Sequence, residues 1–146
     1  MNSALSMAGM ALRAGRLEAG EEPAGDACRA MRCRLLLTAC DAGESALRRA
    51  GRFAREGQCL TLALPFTREE LGRALGRSSC AMAAVTDLGL ARAIVERLAD
   101  QDPDRYGETA GRLRLKAERA RQRREKTGKP HRDGKRRAPV KYRKKP

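Results

Sequence analysis

Apolar positions follow two alternating rhythms over the first hundred residues. Met1, Leu5, Ala8 and Leu12 fall at helical spacing, with Asn2 or Ser3 placed to cap the helix and Gly15 to end it left-handed. After a link at Arg16 to Ala19, Gly20 to Met31 reads as a second helix with Glu21, Glu22 and Pro23 in its first turn. Acids suit the positive end of the helix dipole, and proline's missing N–H costs nothing there. Arg34 to Cys40 (RLLLTAC) is a short apolar run without polar alternation, the pattern of a strand covered on both faces. Asp41-x-x-Glu44 has capping-box spacing and predicts a helix from Asp41 through Leu47, Ala50 and Phe53 to Gly57. Cys59 to Leu64 is a second strand, ended by Pro65. Thr67-x-x-Glu70 opens a short helix to Leu75 that Gly76 terminates. Cys80 to Thr86 makes a third strand, and Asp87 caps a helix from Leu88 to Ala99 with Leu90, Ile94 and Leu98 on one face.

Strands separated by single helices predict the α/β class, specifically a three-layer α/β/α sandwich followed by a basic, largely disordered C-terminal tail. The boundaries expected are a domain at 1–100, a linker at 101–108 containing Pro103, and a tail at 109–146. Within the tail, Thr109 to Glu125 has fair helix propensity but few apolar residues, chiefly Leu113 and Leu115, so it gains little by packing. From Lys126 onward, glycine, proline and like charges predict disorder.

Charge divides the chain at nearly the same place. Gly111 to Pro146 holds 17 Lys and Arg against three acids, Glu118, Glu125 and Asp133. The first 110 residues hold 15 of each sign, so the tail alone carries the formal +14. A polycation gains free energy from a polyanion by releasing condensed counterions, which makes nucleic acid the first partner to consider. Phe53, Phe66, Tyr106 and Tyr142 are the only aromatics, so phosphate contact rather than base stacking would supply the affinity. No apolar run approaches the roughly 18 residues of a membrane span, and Met1 to Arg16 lacks the basic start and apolar stretch of a signal peptide. A cytoplasmic protein that is a monomer with no membrane partner is expected.

Catalytic chemistry is not indicated. There is no Ser/His/Asp or Cys/His set and no phosphate-binding glycine motif, and His131, the lone histidine, lies in the tail. The five cysteines, Cys28, Cys33, Cys40, Cys59 and Cys80, are odd in number and form no Cys-x-x-Cys pair. Small buried hydrophobes are the expectation for them, with no metal, no disulfide and no cofactor.

The order of elements and their punctuation resemble a known group. The opening Leu5 to Glu18 (LSMAGMALRAGRLE), the Gly20-Glu21-Glu22 turn, the strand Leu35 to Ala42, the stretch Thr67 to Ser78 (TREELGRALGRS), and Ala84-Val85-Thr86-Asp87 with Gly89 are similar to the bacterial YlxQ-type members of the ribosomal L-seven-Ae / L-thirty-e family. The resemblance covers about two thirds of the chain. It implies a non-enzymatic RNA-binding protein on an α/β/α sandwich, with kink-turn or related bent RNA, ribosomal RNA, the ribosome or translation factors as partners. It also implies that RNA is held by the start of the second helix and by the loop after the short fourth helix. Carried onto this sequence, those are Gly20, Glu21 and Glu22, and Gly76, Arg77, Ser78 and Ser79, the latter expected as a flexible loop.

Where the best kink-turn binders carry a polar amide or lysine, then Glu or Gln, and later Lys after the glycine, this chain has Glu22, Pro23 and Asp26. A carboxylate repels phosphate and Pro23 offers no donor, which shifts the expected contacts to Arg29, Arg32 and Arg34. Met31 replaces the glycine usual at this helix end. In the tail, Arg112, Arg114, Lys116, Arg119, Arg123 and Arg124 are the expected phosphate contacts. The alternative is a protein-interaction adaptor of the translation or transcription machinery that no longer reads specific RNA.

Overall fold

The computed structural model describes residues 2–127 and builds one mixed sheet from β1 (Leu17–Ala19), β2 (Leu35–Thr38), β3 (Leu60–Ala63) and β4 (Met82–Val85). Among the described residues there are six helices: α1 (Ser3–Arg13), α2 (Glu21–Arg29), α3 (Glu44–Gly57), α4 (Arg68–Ala74), α5 (Leu88–Gln101) and α6 (Pro103–Thr127). The strand order is β1-β4-β2-β3. β4 runs antiparallel to both β1 and β2, with Leu35 opposite Val85 and Thr38 opposite Met82, while β2 and β3 are parallel with Leu35 opposite Leu60.

Side-chain alternation along β2 decides the layers. Leu35 and Leu37 join Leu17, Leu62, Ala83 and Val85 in a large core with residues of α1, α4, α5 and α6. Leu36 points the other way and joins Met82 and Ala84 in a smaller core with Ala24, Ala27, Cys28, Phe53 and Ala54 of α2 and α3. Both faces are covered, so the three-layer sandwich expected from the sequence is the observed fold. Two glycines let α2 and α3 approach closely. A Cβ on Gly25 would stand 2.7 Å from the Phe53 ring, and one on Gly57 would stand 2.8 Å from the Cys28 carbonyl oxygen.

Local signals place several elements as expected. The Asn2 side chain accepts from the Ala4 amide at the start of α1. Thr67 and Glu70 form a complete capping box on α4, and the Asp87 carboxylate caps α5 through the Leu90 amide.

Three expectations are corrected. Residues 16–19 are not a link: Leu17–Ala19 pairs with β4 as an edge strand, too short for its alternation to show in sequence. Asp41 does not cap α3, which begins at Glu44 after Gly43; its carboxylate instead accepts from the Arg68 amide (2.7 Å) at the start of α4. The stretch 101–108 is not a linker. It is the end of α5 and the beginning of α6, where Tyr106, Ala110 and Leu113 recur at helical spacing and are buried in the large core, and the Tyr106 hydroxyl donates to the Ala63 carbonyl of β3 (3.4 Å).

The chain accordingly parts into two units at Leu113 and Arg114, inside α6, rather than at residue 100. In the second unit α6 continues to Thr127 with its basic side chains exposed, and Arg121 pairs with both Glu118 and Glu125. The disorder expected from Lys126 onward falls, beyond Thr127, outside the described residues, as does His131. No helix among the described residues is long and apolar enough to cross a membrane.

Candidate nucleic-acid interface

At the end of the sheet where β2 finishes and β4 begins, Gly20 turns the chain from β1 into α2. Its φ of 100° is open only to glycine, and its amide donates to the Met82 carbonyl (2.8 Å), pinning the helix start to the sheet. No side chain caps α2. Ala24 bonds back to Gly20 and Pro23 has no N–H, which leaves the amides of Glu21 and Glu22 without a partner inside the helix.

The loop after α4 meets this point. Gly76 takes a left-handed φ of 76°, and residues 76–79 are all exposed. The Arg77 guanidinium lies over Gly20: a Cβ there would stand 3.3 Å from its Nη1. The loop is tied back to α4. The Arg77 amide donates to Gly72 (2.8 Å), the Cys80 amide to Arg68 (2.9 Å), and Gly72 sits so close that its Cβ would stand 2.7 Å from the Ser79 amide nitrogen. Gly20, Gly76, Arg77, Ser78 and Ser79 are thus brought to one end of the sheet.

Two cations that sequence reasoning missed border the same loop. Arg13 and Arg73 line a groove between α1 and α4 that reaches Gly76. Both stand in the last turn of their helices, a position common for cations, so their sequence neighbourhood carried no sign of a shared groove.

The carboxylates at the start of α2 behave differently from one another. Glu21 is taken up by Arg49 of α3, which donates from Nε (2.5 Å) and from Nη2 (2.9 Å). That hydrogen-bonded guanidinium holds the Glu21 carboxyl below the ordinary glutamate range. Glu22 is exposed. Arg49 was also missed, because the pair spans 28 residues and no local spacing signals it.

The remaining expected contacts of the folded unit do not join this surface. Arg29 is paired with Asp26 (2.6 Å) and stacks over Phe53. Arg32 and Arg34 lie beside the beginning of β2, the opposite end of the sheet from Gly20, because β2 runs from Leu35 to Thr38 and only its far end is opposite Met82. On α6, Arg112 is paired with Glu108 (3.8 Å), and Arg114, Lys116, Arg119, Arg123 and Arg124 are exposed. Lys116, Arg119 and Arg123 recur at intervals of three and four residues, one stripe of a helix.

The opposite end of the sheet also gathers Cys28, Cys33 and Cys59, whose sulfurs all lie within 4.8 Å of one another. Burial pushes the Cys28 thiol up to about 11, and a hydrogen bond with Cys59 together with burial raises that of Cys33 further. Cys80 is buried separately and Cys40 is exposed, so the cysteines are not uniformly core residues; none forms a disulfide.

No protein-family model and no curated protein matches the sequence. Solved structures do share the fold. A protein of unknown function from Bacillus halodurans C is similar at a TM-score of 0.60 and 27% identity, over 66% of this chain and 97% of that one. The Giardia lamblia 15.5kD RNA-binding protein is similar at a TM-score of 0.52 and 14% identity, over 66% of this chain and 82% of that one.

Proposed function

We propose that this chain is a non-enzymatic RNA-binding protein that combines shape recognition by its folded unit with electrostatic affinity from α6 and the basic residues beyond it. The observation that carries the proposal is the placement of the Arg77 guanidinium over Gly20, at an uncapped helix start beside an anchored, exposed loop with two hydroxyls. Open amides and a cation on a fixed frame form a phosphate-binding corner. Arg13 and Arg73, the latter paired with Glu69 (4.0 Å), line the adjoining groove between α1 and α4. The fold likeness to an RNA-binding protein supports the same reading, as does the concentration of charge after residue 110. Structured RNA of the kink-turn or ribosomal kind is the substrate class proposed, in the cytoplasm and by a monomer associated with the ribosome or translation factors.

The test is the salt dependence of binding to a kink-turn hairpin and to a ribosomal RNA fragment. With about eight phosphates neutralised, log K falls against log salt with a slope near −7, at roughly −0.9 per phosphate. A chain ending at Leu113 keeps the whole core and shows a much flatter slope. Arg77→Ala weakens binding and reduces the slope by about 1. An unchanged slope on removing 114–146 refutes the electrostatic half, and unchanged affinity in Arg77→Ala refutes the docking corner.

A second reading, a protein-interaction adaptor, is favoured by one feature. The exposed carboxylate of Glu22 stands in the first turn of α2, where phosphate would otherwise approach. A stoichiometric protein complex that survives nuclease and high salt, with no RNA bound at low salt, decides for it.

A further inference from the structure

Cys28 belongs to the last turns of α2, Cys33 to the connection into β2, and Cys59 to the connection into β3. Neighbouring parallel strands start side by side, Leu35 against Leu60, which carries the two connecting cysteines to one place. Each of the two connections opens with a left-handed residue at the end of a helix. Met31 (φ 60°) and Gln58 (φ 53°) are the left-handed non-glycine residues among those described, and they stand two residues before Cys33 and one before Cys59. After Met31 the Arg32 amide closes back onto Ala27 (2.9 Å), and after Gln58 the Cys59 amide closes back onto Ala54 (3.1 Å). Such left-handed closures are a common way for a helix to end, and here they set the start of each connection. Small apolar residues would fill this part of the core without requiring three sulfurs to face one another.

We propose that Cys28, Cys33 and Cys59 form a trithiolate site for one soft monovalent metal ion of the Cu(I) class. Three thiolates around one ion at about 2.3 Å stand about 4 Å apart, within the spread observed. No carboxylate or imidazole joins the group among the described residues. Structural zinc takes four protein ligands and would be left one short, whereas soft thiolates select Cu(I), which accepts three. Binding is an exchange in which the ion enters, three thiol protons leave to solvent, and no electron is transferred. The site then gains two negative charges. Since the cluster lies at the opposite end of the sheet from Gly20, the proposal does not depend on RNA binding.

The experiment is anaerobic titration of the reduced full chain with Cu(I) against a chromophoric Cu(I) chelator. One equivalent is retained, with a thiolate-to-copper charge-transfer band and an X-ray absorption shell of three sulfurs at about 2.3 Å. Cys33→Ala and Cys59→Ala lose that equivalent, and Cys40→Ala keeps it. Circular dichroism of the variants confirms that they are folded, and the absorption shell of the unmutated chain tests the site even if they are not. Complete stripping by the chelator, retention by folded Cys33→Ala, a shell of fewer than three sulfurs, or preferential uptake of Zn(II) with a nitrogen or oxygen ligand would each overturn the proposal.

Discussion

Replacing Leu113 by alanine should cost the protein several times what the same change costs at Leu115, although the two residues stand in one basic helical stretch. Leu113 is 0% exposed and packs in the large core, whereas Leu115 is 50% exposed. Shortening a buried leucine to alanine removes the transfer energy of its lost carbons and leaves a cavity, together about 2–5 kcal/mol. An exposed position away from caps and ion pairs moves stability by about 0.5 kcal/mol or less. For a unit of this size, about 4 °C of melting temperature accompanies each kcal/mol, so Leu113→Ala should melt roughly 8–20 °C below the parent and Leu115→Ala within about 2 °C. Thermal and urea unfolding followed by circular dichroism measure both. A chain ending at residue 101, which also gives up Tyr106 and Ala110, should be less stable than Leu113→Ala, while a chain ending at Leu113 should melt with the parent. Equal effects at Leu113 and Leu115 would refute the packing of α6 into the core and restore the boundary at residue 100.

Gly72→Ala places a Cβ 2.7 Å from backbone atoms of Ser79, which cannot swing aside as a side chain could. We expect a loss of about 1–3 kcal/mol in urea unfolding together with weakened RNA binding; unchanged affinity would mean that the loop position is irrelevant to the interface. The Glu21 carboxyl, held low by Arg49, stabilises the fold above the ordinary glutamate pKa, and that contribution is lost as pH falls through the depressed one, because the unfolded chain takes up its proton first. Arg49→Met should therefore differ from the parent at pH 7 and converge with it in acid, modestly and less so in high salt because the pair is partly exposed. A pH-independent difference in urea midpoint would contradict this. Thr67→Ala should cost about 0.5–2 kcal/mol by urea unfolding, through loss of the capping box on α4, and no change would show that α4 is held by packing alone.

What could be read from the sequence is what acts within a few residues. The Thr67 and Glu70 capping box, the Asp87 cap, the apolar runs of β2 and β4, and the division of charge near residue 110 all announce themselves locally, since caps, propensity and counterion release depend on near neighbours. The Asp41-x-x-Glu44 spacing was local too and misled, because Asp41 had a better partner in the Arg68 amide, 27 residues away. Likewise the polar surroundings of Tyr106, Ala110 and Leu113 concealed a helical stripe that matters only because a core lies beside it.

The sequence by itself determined the helix and strand rhythm, the sandwich class and the cationic C-terminal stretch. Only the tertiary structure decided that Leu17–Ala19 is a strand, that Arg49 neutralises Glu21, that Arg77 covers Gly20 while Arg32 and Arg34 go to the far end, and that three cysteines meet. These are pairings between segments tens of residues apart. Their free energy comes from shape and charge brought together by the sheet's register, which no local spacing encodes.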